Sequence, residues 1–147
     1  MAERYNRRPD GTTGSIPHDV IVRFNYDVAA NAVDNWVFYA DTHYEVVGVF
    51  VVPAVAGSDG SAVTADIMKA SGTTAVASGA TVLSAADSFN LKGTAHTLQS
   101  GTLSATLSAR QLTTGDRLGI NFTGTMTAAV GYIQVNSKRL QTANGSR

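Results

Sequence analysis

The chain has 147 residues, no cysteine, and eleven basic against eleven acidic side chains. That length fits one domain able to bury a core unaided, and the absence of cysteine excludes a disulfide framework, thiolate chemistry and cysteine-based metal sites. The few bases are not interleaved with aromatics, which argues against a nucleic-acid surface; the longest apolar run, residues 46–56, is broken by Pro53 and falls short of the about 20 residues of a membrane span.

Charge is unevenly placed along the chain. Residues 10–66 hold eight acids and one base, Arg23, whereas residues 67–147 hold seven bases and two acids. Either folding mixes the two halves, or an acidic patch on one copy faces a basic patch on the next.

Residues 1–18 read as an extended arm. They are polar, broken by Pro9, Gly11, Gly14 and Pro17, and carry Arg4, Tyr5, Arg7 and Arg8. No apolar stretch follows the early charges, so the segment does not read as a secretory signal. From Val20 apolar and polar residues alternate: Val20, Val22, Phe24 and Tyr26 against Ile21, Arg23, Asn25 and Asp27. Period two is the mark of a strand with one buried face. A loop is expected over 29–35 and an aromatic strand over 36–40. Trp36, Phe38, Tyr39 and Tyr44 are expected in the core, with a sugar-binding platform as the alternative.

Residues 44–52 are apolar at nearly every position, which implies a strand covered on both faces. Val47, Val49 and Val51 are the expected oligomer interface; the alternative is a central strand covered by a loop. A turn follows at 56–61, then a strand over 62–70 with Val63, Ala65 and Ile67 on one face. Short strands flank Gly79 within 74–84, and 85–93 is a loop or a helical turn. Residues 103–107 alternate, with Leu103, Ala105 and Leu107 expected inward.

Thr113-Thr114-Gly115-Asp116 is a tight turn, with Gly115 free to take positive φ and Asp116 able to bond its own backbone. Asp116 is therefore a turn residue rather than a catalytic acid, and Asn should serve in its place. Strands follow at 117–123 and 129–135. The domain is expected over 19–137, with a basic polar tail over 138–147. The elements imply an all-β antiparallel sandwich, a jelly roll of about eight strands.

His18, His43 and His96 lie far apart, and no metal-ligand spacing, nucleophile elbow, phosphate loop or dinucleotide fingerprint occurs. No enzyme and no cofactor is expected.

Four segments carry a resemblance: "YEVVGVFVVPAVAGSDGSAVTADIMKASG", "AVASGATVLS", "SGTLSATLSARQLTTGDRLGINFTGT" and "AVGYIQV", together about two thirds of the chain. They resemble the small jelly-roll or sandwich decoration (cement) proteins of tailed-bacteriophage heads. The resemblance implies a structural virion protein, made in the bacterial cytoplasm. It would sit on the outside of the capsid over the major capsid protein, as a dimer or trimer, with Arg4, Tyr5, Arg7 and Arg8 reaching onto the shell. A carbohydrate-binding or adhesion module of a tail or fibre is the alternative. Neither reading calls for nucleic acid or a membrane.

Overall fold

The computed structural model describes residues 19–28, 35–86, 89–125 and 127–140. The expected arm, residues 1–18, and residues 141–147 of the expected tail lie outside them. Ten strands follow in chain order among the described residues: β1 (Asp19–Val28), β2 (Asn35–Tyr39), β3 (Tyr44–Val55), β4 (Thr64–Ala70), β5 (Ala80–Thr81), β6 (Phe89–Asn90), β7 (Gln99–Ser100), β8 (Gln111–Leu112), β9 (Arg117–Thr123) and β10 (Ala129–Arg139). A 3₁₀ turn at Val76–Ser78 and a one-turn helix, α1 (Leu107–Arg110), lie between them.

One sheet is ordered β1-β10-β3-β7, with β8 also on β3; the other is ordered β2-β9-β4-β5, with β6 also on β4. Every pairing is antiparallel. Since β5 and β6 share one neighbour, and β7 and β8 another, each pair fills one strand position in two pieces. The eight positions then run 1-8-3-6 in one sheet and 2-7-4-5 in the other. That is a jelly roll, the expected architecture.

The two apolar faces meet in a core. Tyr26, Val46, Val49, Val51, Ile133 and Val135 come from the first sheet; Ala65, Ile67, Leu118, Ile120 and Phe122 come from the second. Tyr26 and Phe122 cross between the sheets edge to face, with centroids 6.2 Å apart.

β3 explains its own unbroken apolar run. A register shift against β10 separates Gly48, opposite Asn136, from Val46, opposite Ser137. Val47 is the extra residue of this bulge, so the inward parity changes from Tyr44 and Val46 to Val49 and Val51. The parity switch accounts for inward apolar residues at both even and odd positions, while Phe50 and Val52 are apolar on the outer face, half-buried, beyond what the switch requires.

Three local expectations change. Residues 103–107 are not a strand. Leu103 makes a single bridge to Leu83, Leu107 is 45% exposed, and α1 starts there. The stretch loops out because β7 and β8 pair with β3 on either side of its bulge, leaving no continuous edge between them. β10 continues to Arg139, opposite Tyr44, so the first residues of the expected tail are strand. β3 likewise continues through Pro53 to Val55.

Candidate functional site

Asp116 lies at the end of the sandwich, 5% exposed. Its carboxylate accepts from the Thr113 amide at 2.8 Å and the Thr113 hydroxyl at 3.0 Å, while its own amide donates to the Thr113 carbonyl. Gly115 has φ +94°. This is the expected turn. Two backbone bonds join it to Ala40: Gly115 donates to the Ala40 carbonyl, and the Ala40 amide donates to the Asp116 carbonyl. Lys69 adds a feature the local sequence does not carry. Its ammonium lies 3.6 Å from the Asp116 carboxylate and donates to the carbonyls of Ser108 (2.9 Å) and Gln111 (2.6 Å). Asp116 thus helps close one end of the core.

Other buried carboxylates are also engaged internally. Glu45 pairs with Arg110 at 2.8 Å and Lys138 at 3.4 Å. Asp66 accepts from the Thr81 hydroxyl at 2.6 Å. Among the described residues, no group of three His, Asp or Glu side chains converges to hold a metal. No helix of these residues is long and apolar enough to cross a membrane.

The expected interface residues separate. Val49 (1% exposed) and Val51 (0%) are filled against the chain's own core, whereas Val47, pushed out by the bulge, is 44% exposed. A contact on this strand would therefore use Val47 and its outward neighbours Phe50 and Val52, not Val49 and Val51. The expected arm contacts, Arg4, Tyr5, Arg7 and Arg8, lie outside the described residues.

The four aromatics of 36–44 also divide. Phe38 and Tyr44 pack edge to face at 5.2 Å and belong to the core, as expected. Trp36 (41% exposed) and Tyr39 (61%) do not. A register shift between Trp36 and Phe38 makes Val37 the extra residue, so Trp36 sits opposite Gly119, and Tyr39 opposite Arg117, on the outer face of the second sheet. The Arg117 guanidinium lies over the Trp36 ring, 4.1 Å from its centroid. It is held there by the carbonyls of Gly72 (2.6 Å) and Thr74 (3.2 Å). Beside this patch Val76 covers Gly119, where any Cβ would stand 2.8 Å from a Val76 methyl. Part of the outer face is thus roofed by residues 71–79, and the rest presents Trp36, Arg117 and Tyr39. Sequence reasoning missed Arg117 because its partners are far off in the chain, joined only by strand pairing.

No family model, curated protein or solved structure matches the chain.

The outer face of the first sheet is more polar. The Tyr132 hydroxyl donates to Gln134, whose amide donates to Asn136 at 2.7 Å; Arg23 Nε also donates to Gln134, at 3.3 Å. An open groove of about 440 Å³ lies at one end, between Asn25, Asp27, Val52, Ala54, Val130 and Tyr132. Trp36, Arg117 and Tyr39 are the better candidate, because residue types with the largest contact energies at low entropic cost stand together there, one of them already immobilised.

Proposed function

We propose that this chain is a structural binding module, a decoration protein that attaches to the outer surface of a tailed-phage head and bridges neighbouring major capsid subunits. The observation that carries the reading is the patch formed by exposed Trp36 and Tyr39 around half-buried Arg117 on the outer face of the jelly roll. Trp, Tyr and Arg dominate the energetics of protein interfaces, and a pinned guanidinium loses little freedom on contact. The buried carboxylates Asp116, Asp66 and Glu45 are spent on internal bonds, which suits a scaffold. The phage resemblance adds the identity of the surface.

The test mixes purified protein with undecorated heads and measures occupancy. Trp36→Ala with Tyr39→Ala should lower occupancy and leave the protein folded, with a modest fall in melting temperature because Trp36 is more than half covered and stacks on Arg117. Full occupancy by the double variant would remove the patch from the reading. The same two aromatics also support the carbohydrate alternative, because a flat exposed indole beside a phenol can stack on a sugar ring. Binding to a glycan array, lost in the double variant and accompanied by no binding to heads, would favour that alternative.

A further inference from the structure

The first sheet ends in a long open edge. β1 pairs with β10 over ten consecutive residues, Asp19 opposite Lys138 through Val28 opposite Ala129, without a register shift. No described strand pairs with its other side. β2, which ends the second sheet on the same side, has five residues and a bulge. Natural sheets blunt an open edge with proline, bulges or short length, because unpaired amides and carbonyls template another strand. β1 has no proline, bulge or shortening; the exposed charges Arg23 and Asp27 are the blunting device it carries, and a partner must match them.

We infer that the free edge of β1 pairs with β1 of a second copy, antiparallel about a two-fold axis through Asn25. Charge selects this partner and this register. Arg23, Asn25 and Asp27 all lie exposed on the outer face of the strand. Centred on Asn25, the pairing sets Arg23 of each copy opposite Asp27 of the other, so two complementary pairs form from one acid and one base. On the inner face Phe24 meets Tyr26. Centred on Phe24, the same strands set Arg23 against Asn25 and Ile21 against Asp27, with no charge pair. Centred on Arg23, they set arginine against arginine and Asp19 against Asp27. Centring on Ile21 would also bring Arg23 opposite an acid, at position 19, but it pairs about five residues of β1 from each copy where the Asn25 register pairs about seven, so the Asn25 register combines charge attraction with the longer pairing. The result joins two four-position sheets into one continuous sheet across the dimer. The inference stands apart from the proposed attachment to heads, because it concerns the purified chain alone.

Sedimentation equilibrium of the full chain across the micromolar range tests it, with far-ultraviolet circular dichroism and melting to confirm folding. The wild type should be a dimer. Arg23→Asp, which sets acid against acid twice, should raise the dimer dissociation constant about tenfold or more. Asp27→Arg should do the same, and the double swap, Arg23→Asp with Asp27→Arg, should restore the dimer. A monomeric wild type, a folded single variant with unchanged affinity, or a double swap that stays as weak as the singles would each overturn the inference. So would a monomeric wild type that dimerises once residues 1–16 are deleted, because the chain's own N-terminal segment would then occupy the edge.

Discussion

Tyr26 is tightly constrained in the core. It is fully buried and lies across Gly131 of β10, where a Cβ would stand 2.6 Å from the Val52 carbonyl and collide with the Tyr26 hydroxyl. Gly131→Ala should therefore destabilise by about 3 kcal/mol in a denaturant titration. The Tyr26 hydroxyl has no hydrogen-bond partner among the described residues, and burial pushes its pKa up to about 12. The neutral phenol is the form that the core accepts, while the unfolded chain ionises near pH 10. Stability is thus fully present below about pH 10 and falls as pH rises to about 12, by about 3 kcal/mol from this group. Tyr26→Phe should be neutral or stabilising at pH 7, since it removes an unsatisfied polar atom. It should also remove this part of the alkaline loss in melts taken between pH 9 and 12. Tyr44 contributes a residual loss of the same sign, its pKa raised first by the hydrogen bond to Asp41 and then by burial. At Asp116 the local turn bonds tolerate Asn, but Lys69 requires a charge. Asp116→Asn should cost about 1 kcal/mol rather than being silent, and Asp116→Ala about 2 kcal/mol.

At the scale of the element, β3 makes the sharpest distinction. Val47, Val49 and Val51 look equivalent in an apolar run, yet the bulge exposes the first and buries the other two. Val47→Asp should change the unfolding midpoint little, within about 0.5 kcal/mol. Val49→Asp or Val51→Asp should cost about 3–5 kcal/mol or prevent folding, because each places an uncompensated charge in the core. Equal effects at all three positions would show that the strand is covered on both faces, as its composition alone suggests. β2 follows the same logic: its bulge at Val37 moves Trp36 out of the core side and into the patch.

For the whole molecule, folding cancels part of the charge asymmetry of the sequence. Glu45 from the acidic half meets Arg110 and Lys138 from the basic half. The proposed decoration role would also use the expected arm residues, which lie outside the described residues. Deleting residues 1–16, with Arg4, Tyr5, Arg7 and Arg8, should leave the melting temperature nearly unchanged and lower occupancy on undecorated heads. The deficit should be largest at low salt, since arginine contacts on a surface are screened within about 10 Å at 0.1 M. Equal occupancy by both chains at low and high salt would show that the segment makes no contact with the shell.

Period-two alternation and turn chemistry are local, so the chain's own residue pattern carries what depends on neighbours along it: the all-β class, the jelly-roll expectation, the turn at Gly115–Asp116, and the strands over 20–27 and 117–123. It also placed Phe38 and Tyr44 in the core. The bulges at Val37 and Val47 are not legible, because a bulge is set by the partner strand's register and shows in one strand only as an ambiguous apolar run. That is why Val47 could not be told from Val49, nor Trp36 from Phe38. Leu103–Leu107 misled for a related reason: its alternation is that of a strand, but the edge it would have paired with is interrupted. The Arg117–Trp36 stack, the Lys69–Asp116 contact and the open edge of β1 were decided by tertiary structure alone, since each joins or exposes groups whose neighbours are distant in sequence.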